Sequence, residues 1–382
     1  MSEPAVEPDI GQARLFQPPA AEHLTLADRF LVPPFSILDA RAGYWQDRKR
    51  EWLQLGISSE LGRDEKLLGF ESIAVASTMP CPKCEGKGTP DGGRTVCRYC
   101  HGRGLKYGGK GYGKVPTTSV FDPVLCEVAY RWWSPPGGVV YDPFAGGSVR
   151  GIVAARLGRR YLGVDLRPEQ VEANEAQAGD IGAKLPYAYD PVWVAGDSRD
   201  TPAILAGQQP DFIFSCPPYF DLERYSDDPR DLSNAGSYAG FLGGYQEIVQ
   251  HCYDALANDR FACFVVGEVR GPGGGYVGLV PDTVVAFQEA GFVYWNELVL
   301  QTPLGSAPIR TGAQFGGQRK VGKVHQNALV FVKGDGKAAA AACGVVPEVA
   351  LEYGGAVWRA DASLVVPETE EELDFYDEEE RL

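Results

Sequence analysis

The chain has 382 residues, 44% of them hydrophobic, with 36 lysines and arginines against 51 aspartates and glutamates, a formal charge of −15. That length leaves room for two or three domains around a sizeable core, and no apolar run approaches the ~18 residues that a membrane helix requires. The acidic balance excludes a generally basic nucleic-acid binder, so any polyanion must be held by a local cluster of bases.

Residues 1–28 are rich in Pro, Glu and Ala and read as disordered; the opening MSEPAVEPDIGQ is polar and acidic, unlike a signal peptide, which points to a cytoplasmic protein. Residues 29–77 mix aromatic and charged side chains, with a helical pattern from Tyr44 to Leu55 that puts Trp45, Trp52 and Leu55 on one side. Residues 78–115 change texture. CPKCEGKG (81–88) and CRYCHGRG (97–104) are two copies of CxxCxGxG. Each CxxC offers two thiolates at one corner of a tetrahedron, so Cys81, Cys84, Cys97 and Cys100 are expected to hold one structural Zn²⁺. His101 reads as a neighbour of that site. Between Cys81 and Val115 there are eight bases and two acids, net +6, counting the Gly/Lys linker GLKYGGKGYGK that follows the second CxxC. Those bases suit either a solvated insertion or a DNA-contacting module. The repeats resemble the cysteine-rich zinc module of DnaJ-type chaperones over about 24 residues, without carrying chaperone function.

From 116 to 335 strand-like and helical runs alternate: GVVYDPF, VRGIVAARLG, RRYLGVDL, RPEQVEANEAQ, VWVAGD, DFIFSCPPY, a helix over YAGFLGGYQEIVQHCYDALA, FACFVVGEV, PDTVVAFQEAG, VYWNELVLQ and NALVFVKG. This alternation predicts βαβ units and a mostly parallel sheet with flanking helices. Three successive strands end in acids, Asp142, Asp165 and Asp197, and the first is followed by Pro143, Phe144, Ala145, Gly146 and Gly147. Glycines there let a ligand approach the backbone, and an acid at the second strand tip is placed for ribose hydroxyls. The run is neither GxGxxG nor a P-loop, and an acid beside it would repel phosphate. S-Adenosylmethionine (AdoMet), with a ribose, an adenine, an ammonium and a sulfonium but no phosphate, fits better. Residues 336–382 form a C-terminal extension whose last 15 residues, Glu368 to Leu382, carry nine acids and one arginine.

DPFAGG at 142–147 followed by CPPY at 216–219 resembles the DNA amino-methyltransferases, which methylate adenine N6 or cytosine N4 and whose motifs have the forms DPFxGxG and [DNS]PP[YFW]. The likeness covers roughly 118–335. The flanks FDPVLCEVAYRWWSPPGG, FSCPPYFDLERYSDDPRDLS and KVHQNALVFVKG are similar to those of bacteriophage-type and prokaryotic orphan DNA methylases. It implies a Rossmann-like AdoMet-dependent methyltransferase fold acting on double-stranded DNA with the target base flipped; the zinc module expected from the CxxC pairs precedes it in the chain. The likeness implies that Asp142, Phe144, Gly146 and Gly147 shape the cofactor pocket, Asp165 holds the ribose, Asp197 the adenine amine, and Phe121 and Asp122 the methionine end. Glu223, Tyr225 and Glu268 would order the target-base loop, Glu268 alternatively capping a strand.

The chemistry of the turn supports that implication. An exocyclic amine is a poor nucleophile because its lone pair is delocalised, and acceptors on its N–H bonds ease the change toward sp³. Pro217 and Pro218 fix φ and remove donors, leaving a backbone carbonyl facing the amine, and Tyr219 offers a flat face for an extruded base. Cys216 departs from the pattern, because a thiol is a weak acceptor. It is compatible with amine methylation through the carbonyl, with nucleophilic addition to a pyrimidine ring and carbon methylation, or with a domain that binds without catalysis. Methylation of RNA or of a protein amide is the further alternative. The sequence leaves the target base, the recognition site and the oligomeric state open.

Overall fold

The computed structural model describes residues 26–58, 71–72, 113–114, 121–220, 225–271, 273–304 and 307–346. Two compact units emerge, Met1–Phe35 with Val345–Leu382, and Ser36–Gly344. The first contributes one short helix, α1 (Leu26–Phe30), among its described residues.

The second unit runs β1 (Ile37–Asp39), α2 (Gly43–Gln54), β2 (Glu71–Ser72), β3 (Gly113–Lys114), α3 (Pro123–Trp133), β4 (Val139–Asp142), α4 (Val149–Arg156) and β5 (Arg160–Asp165). It continues through α5 (Pro168–Lys184), β6 (Val192–Ala195), α6 (Thr201–Leu205), β7 (Phe212–Ser215), α7 (Tyr238–Ala255), β8 (Arg260–Val266), α8 (Leu279–Ala290), β9 (Val293–Gln301), α9 (Ala307–Gln318), β10 (His325–Lys333) and α10 (Gly336–Cys343). Eight strands make one sheet in the order β1-β9-β10-β8-β7-β4-β5-β6, and β2 pairs antiparallel with β3 in a separate ladder. Pairing is parallel from β6 through β5, β4 and β7 to β8, and again between β1 and β9; β10 alone runs against its neighbours β8 and β9.

The chain starts the parallel part at β4, moves outward to β5 and β6, then returns to the other side of β4 as β7. That reversal opens a crevice at the carboxyl ends of β4 and β7, the position where open α/β sheets bind ligands. Strand pleating sends alternate side chains to opposite faces. Tyr141, Ile213, Ala262 and Phe264 join Phe241, Tyr245, Ile248 and Phe287 from α7 and α8 in the larger apolar core. Phe212 and Phe214 turn the other way, with ring centroids 6.2 and 5.4 Å from Tyr130 of α3. Both faces of β4 and β7 are therefore buried, which is why these strands read as continuous apolar runs.

The sequence-derived alternation accounts for every strand from β4 to β10. The edge strand β1 lies outside the span 116–335, because three residues give no readable period. It is held instead by register, Ile37 beside Val299, Leu38 beside Leu300 and Asp39 beside Gln301. The cysteines of the CxxC pairs lie outside the described residues. Among the described residues no helix is long and apolar enough to cross a membrane.

One close approach is a test of the packing. A Cβ built on Gly151 in α4 would overlap the ring of Trp193 and approach Tyr161 to 2.9 Å. Gly151→Ala should therefore lower the unfolding free energy by about 1–3 kcal/mol through overpacking, read from the urea midpoint. A neutral or stabilising result, as expected of Gly→Ala on an open helix, would show that α4 does not rest on β5 and β6 in this way.

Candidate active site

A cleft of about 810 Å³ opens at the crevice. It is lined by residues from well-separated parts of the chain: Lys49; Phe121 and Asp122; Phe144, Gly146, Gly147 and Arg150; Asp165; Asp197; and Cys216 through Tyr219. Among the described residues, the cofactor and target-site groups selected from the sequence line this cleft, with one exception.

That exception is Asp142. It is fully buried and does not line the cleft. Its Oδ2 accepts from Arg150 Nε at 2.6 Å and from the Tyr161 hydroxyl at 2.7 Å. Its Oδ1 accepts from the Ser215 hydroxyl at 2.6 Å and from the Phe144 amide at 3.2 Å. A buried carboxylate needs this degree of partnering to remain charged. Arg150 in turn donates to the carbonyls of Phe144 and Ala145 at 2.6 and 2.8 Å, and its guanidinium lies 4.5 Å over the Phe121 ring. Burial acts to lower the guanidinium's affinity for its proton, but Asp142 outweighs that and leaves it raised above its ordinary value. Asp142 is therefore the keystone beneath the loop 143–147, and Arg150 carries its influence to the cleft wall.

Gly146 has φ of +51° and open space where a Cβ would stand. The left-handed backbone is what selects glycine here. Its amide donates to Asp165 Oδ2 at 3.0 Å, while Asp165 Oδ1 accepts from the Arg167 amide at 2.9 Å. One amide on each oxygen fixes the carboxylate at the tip of β5, where it lines the cleft. Asn174 Nδ2 donates to the Gly146 carbonyl at 2.7 Å and fixes the loop from the other side.

Asp197 caps the turn that follows β6, accepting from the Arg199 amide at 2.9 Å, and pairs with the Arg199 guanidinium at 2.6 Å. Partial burial would raise its pKa, but the bonds from Arg199 outweigh burial and hold it below the usual carboxylate value. It is charged at neutral pH.

Beyond β7, Cys216 Sγ lies 3.7 Å from the Tyr219 hydroxyl, which also accepts from Gln326 Nε2 at 3.0 Å. Burial pushes the Tyr219 phenol well above its ordinary value, so it stays neutral. Phe220, next in the chain, has φ of +52°, a sterically costly conformation for an aromatic residue. Its ring is clamped 5.5 Å from Tyr238 and 5.8 Å from Phe241, and that packing holds the chain in its turn past the two prolines. Glu223 lies outside the described residues; Tyr225 lines the cleft. Glu268 also lines it, but its carboxylate accepts from the amides of Gly278 and Val280 at 3.3 and 3.1 Å, capping α8 rather than a strand.

Several wall residues were not selected from the sequence: Lys49, Arg150, Lys323 and His325. Burial lowers the pKa of both Lys323 and His325, and the Lys323 charge lowers His325 further, so His325 is neutral at pH 7. A buried arginine inside the apolar run VRGIVAARLG was a readable signal for Arg150; no comparable local signal marks Lys49.

Residues 122–176 match a family model described as DNA methylase. The resemblance to DNA methylases holds. The methylase match spans α3 through β5 and the first half of α5, and therefore carries Asp122, the loop 142–147, Arg150 and Asp165. Together with the strand order, the parallel sheet and the flanking helices, it gives the chain the Rossmann-like fold of AdoMet-dependent methyltransferases. A curated relative, the chaperone protein DnaJ of a Nitratiruptor species, is 38% identical over 78 residues, 20% of this chain and 21% of the chaperone. Among solved structures, TrmN from Thermus thermophilus overlays with a TM-score of 0.38 at 17% identity, covering 57% of this chain and 51% of that one. A candidate DNA modification methylase, also from Thermus thermophilus, overlays at 0.28 and 17% identity, covering 37% of this chain and 52% of that one. The chain thus spans about one-fifth of the chaperone and half of TrmN.

Proposed function

We propose that the protein transfers a methyl group from AdoMet to an exocyclic amine, adenine N6 or cytosine N4, of a base flipped out of double-stranded DNA. The observation that carries this reading is the juxtaposition in one cleft of a phosphate-free cofactor wall (Gly146, Asp165, Asp197) with the Cys216–Tyr219 turn at the end of the neighbouring strand. The donor set fits AdoMet: carboxylates at the tips of β5 and β6, a glycine with open space above it, and apolar wall residues Phe144, Val164, Leu166 and Ile248. AdoMet, when bound, supplies an electrophilic methyl on sulfonium, so the chain's task is alignment and support of charge as it develops on the amine.

Asp165 would bind the ribose hydroxyls, and Asp197, shared with Arg199, would face the adenine. Phe121 would line the methionine end, packed against Phe214 at 5.8 Å. The carbonyl of residue 216, held by Pro217 and Pro218, would accept from the target amine, with the Cys216 thiol as a weaker second acceptor. Tyr219, fixed through Gln326, would stack on the base. His325 and Lys323 stand on the same wall, where a neutral imidazole can take the proton the amine releases.

The four cysteines 81, 84, 97 and 100 would bind one structural Zn²⁺, on the strength of their paired CxxC spacing. Among the described residues no group of three or more His, Cys, Asp or Glu stands ready for a metal. The ladder of β2 and β3 sets Glu71 beside Lys114 and Ser72 beside Gly113. The basic residues between Cys81 and Val115 would meet DNA phosphates.

The test is methylation of duplex DNA of mixed sequence by the full chain with labelled AdoMet, followed by nucleoside mass spectrometry. N6-methyladenine or N4-methylcytosine is expected. Cys216→Asn, which installs a better acceptor, should retain or raise that activity, and Cys216→Ala should lower it by less than about tenfold, the loss of one weak hydrogen bond. A product methylated at pyrimidine C5 that disappears in Cys216→Ala would replace the amine reading with nucleophilic addition by the thiol.

A further inference from the structure

One charged group in the cleft has no place in the methyltransferase motifs. Lys49 projects from α2, a helix that precedes the methylase match by some seventy residues. Its Nζ donates to Asp122 Oδ2 at 3.0 Å, and the two side chains are 27% and 12% exposed. Both line the cleft at the end marked by Phe121 and Arg150.

We propose that Lys49 and Asp122 form a zwitterionic clamp for the amino-acid end of the cofactor, in which Lys49 reads the α-carboxylate. This inference rests on the AdoMet reading of the cleft. Lys49 is the cleft cation that pairs with Asp122 itself. The ligand carries one ammonium and one carboxylate there. Five carboxylates line the cleft, from Asp122, Asp165, Asp197, Asp231 and Glu268, so an incoming carboxylate requires a cation. Arg150 is matched by the buried Asp142, and its donors go to Asp142 and the carbonyls of Phe144 and Ala145. Arg230, also on the cleft wall, is matched by Asp228, and Arg199 behind Asp197 is matched by that carboxylate. Lys49 has three N–H donors and gives one of them to Asp122. Asp122 Oδ1 is occupied by the Trp45 indole at 3.2 Å and by the amides of Val124 and Leu125 at 3.0 and 3.4 Å. Its Oδ2 faces Lys49 and keeps acceptor capacity for the ammonium.

The clamp is rigid because α2 is anchored. Trp45, Arg48 and Trp52 are buried on the face turned to α3. Glu127, fully buried, accepts from Arg48 Nε at 2.7 Å, from a second Arg48 nitrogen, from Arg131 at 2.8 Å and from the Trp52 indole at 2.8 Å. Lys49 stands one residue from this knot, so little side-chain order remains to be lost on binding. The spacing Trp45, Arg48, Lys49, Trp52 is the i, i+3, i+4, i+7 stripe of one helix face.

The experiment is calorimetric titration of the full-length protein and Lys49→Met with S-adenosylhomocysteine and with 5′-methylthioadenosine, which lacks the amino-acid end. Lys49→Met is expected to weaken S-adenosylhomocysteine by roughly 10- to 100-fold, the loss of a charged hydrogen bond, and to leave methylthioadenosine within about twofold. Lys49→Arg should recover most of the affinity. If Lys49→Met does not fold, the wild-type protein still decides the matter: the α-carboxamide of S-adenosylhomocysteine should bind more weakly than the acid by the same factor. Equal weakening of both ligands, or none, would overturn the clamp while leaving the cofactor reading in place. Failure of the wild-type protein to bind either ligand would instead overturn the cofactor reading, and the clamp with it.

Discussion

Arg150→Met is expected to lower the unfolding free energy by about 3–5 kcal/mol, the usual cost of removing one partner from a buried ion pair. Asp142 has no exposure to water, and Arg150 is its ion-pair partner at 2.6 Å. The methionine would fill much of the volume but leave a buried carboxylate held by two hydroxyls and one amide. It would also free the carbonyls of Phe144 and Ala145, so the loop 143–147 should lose order together with stability. Urea unfolding measures the first effect and S-adenosylhomocysteine titration the second. Arg160→Met is the comparison: Arg160 is exposed and sits 4.7 Å over the Tyr189 ring, which predicts a change of less than about 1 kcal/mol. Equal, small effects in the two variants would show that Asp142 does not depend on Arg150.

Asp165→Ala is expected to weaken S-adenosylhomocysteine about 100-fold or more. Two hydroxyls bound by one carboxylate are each worth roughly 1.5–3 kcal/mol when the acceptor is charged, and every 1.4 kcal/mol is a factor of ten. The variant also leaves the Gly146 amide without its 3.0 Å acceptor, loosening the positive-φ turn over which the ligand would lie. Asp165→Asn keeps one acceptor oxygen and should lose about tenfold. Adenosine, which retains the diol, should suffer with S-adenosylhomocysteine; 2′,3′-dideoxyadenosine should be indifferent to the substitution. If the dideoxy compound loses as much as adenosine, Asp165 acts on the loop and not on the ribose.

The motif residues were legible because their chemistry is local. Gly146 and Gly147 sit between a strand and a helix whose apolar runs are self-evident, and Pro217 and Pro218 are stiff wherever they occur. Asp165 ends the short strand RYLGVD, so its place at a strand tip needed no partner to be inferred. What could not be read was where these groups point. Asp142 and Asp165 look equivalent as acids closing successive strands, yet one is sealed beneath the loop by Arg150, Tyr161 and Ser215, and the other lines the cleft. Glu268 likewise turned out to serve the first amides of α8, a role set by a helix ten residues further on.

The sequence by itself determined the alternation of strands and helices from β4 onward, the glycine turn and the proline-stiffened turn, because hydrophobic period and backbone restriction act over a few residues. Only the tertiary structure decided that a three-residue strand closes the sheet beside β9, that β10 runs against its neighbours, and that Lys49 meets Asp122 across 73 positions of chain. Those outcomes depend on the burial of Glu127 with Arg48 and on strand register; the helical stripe of α2 shows which face is buried, but not which distant residue it meets.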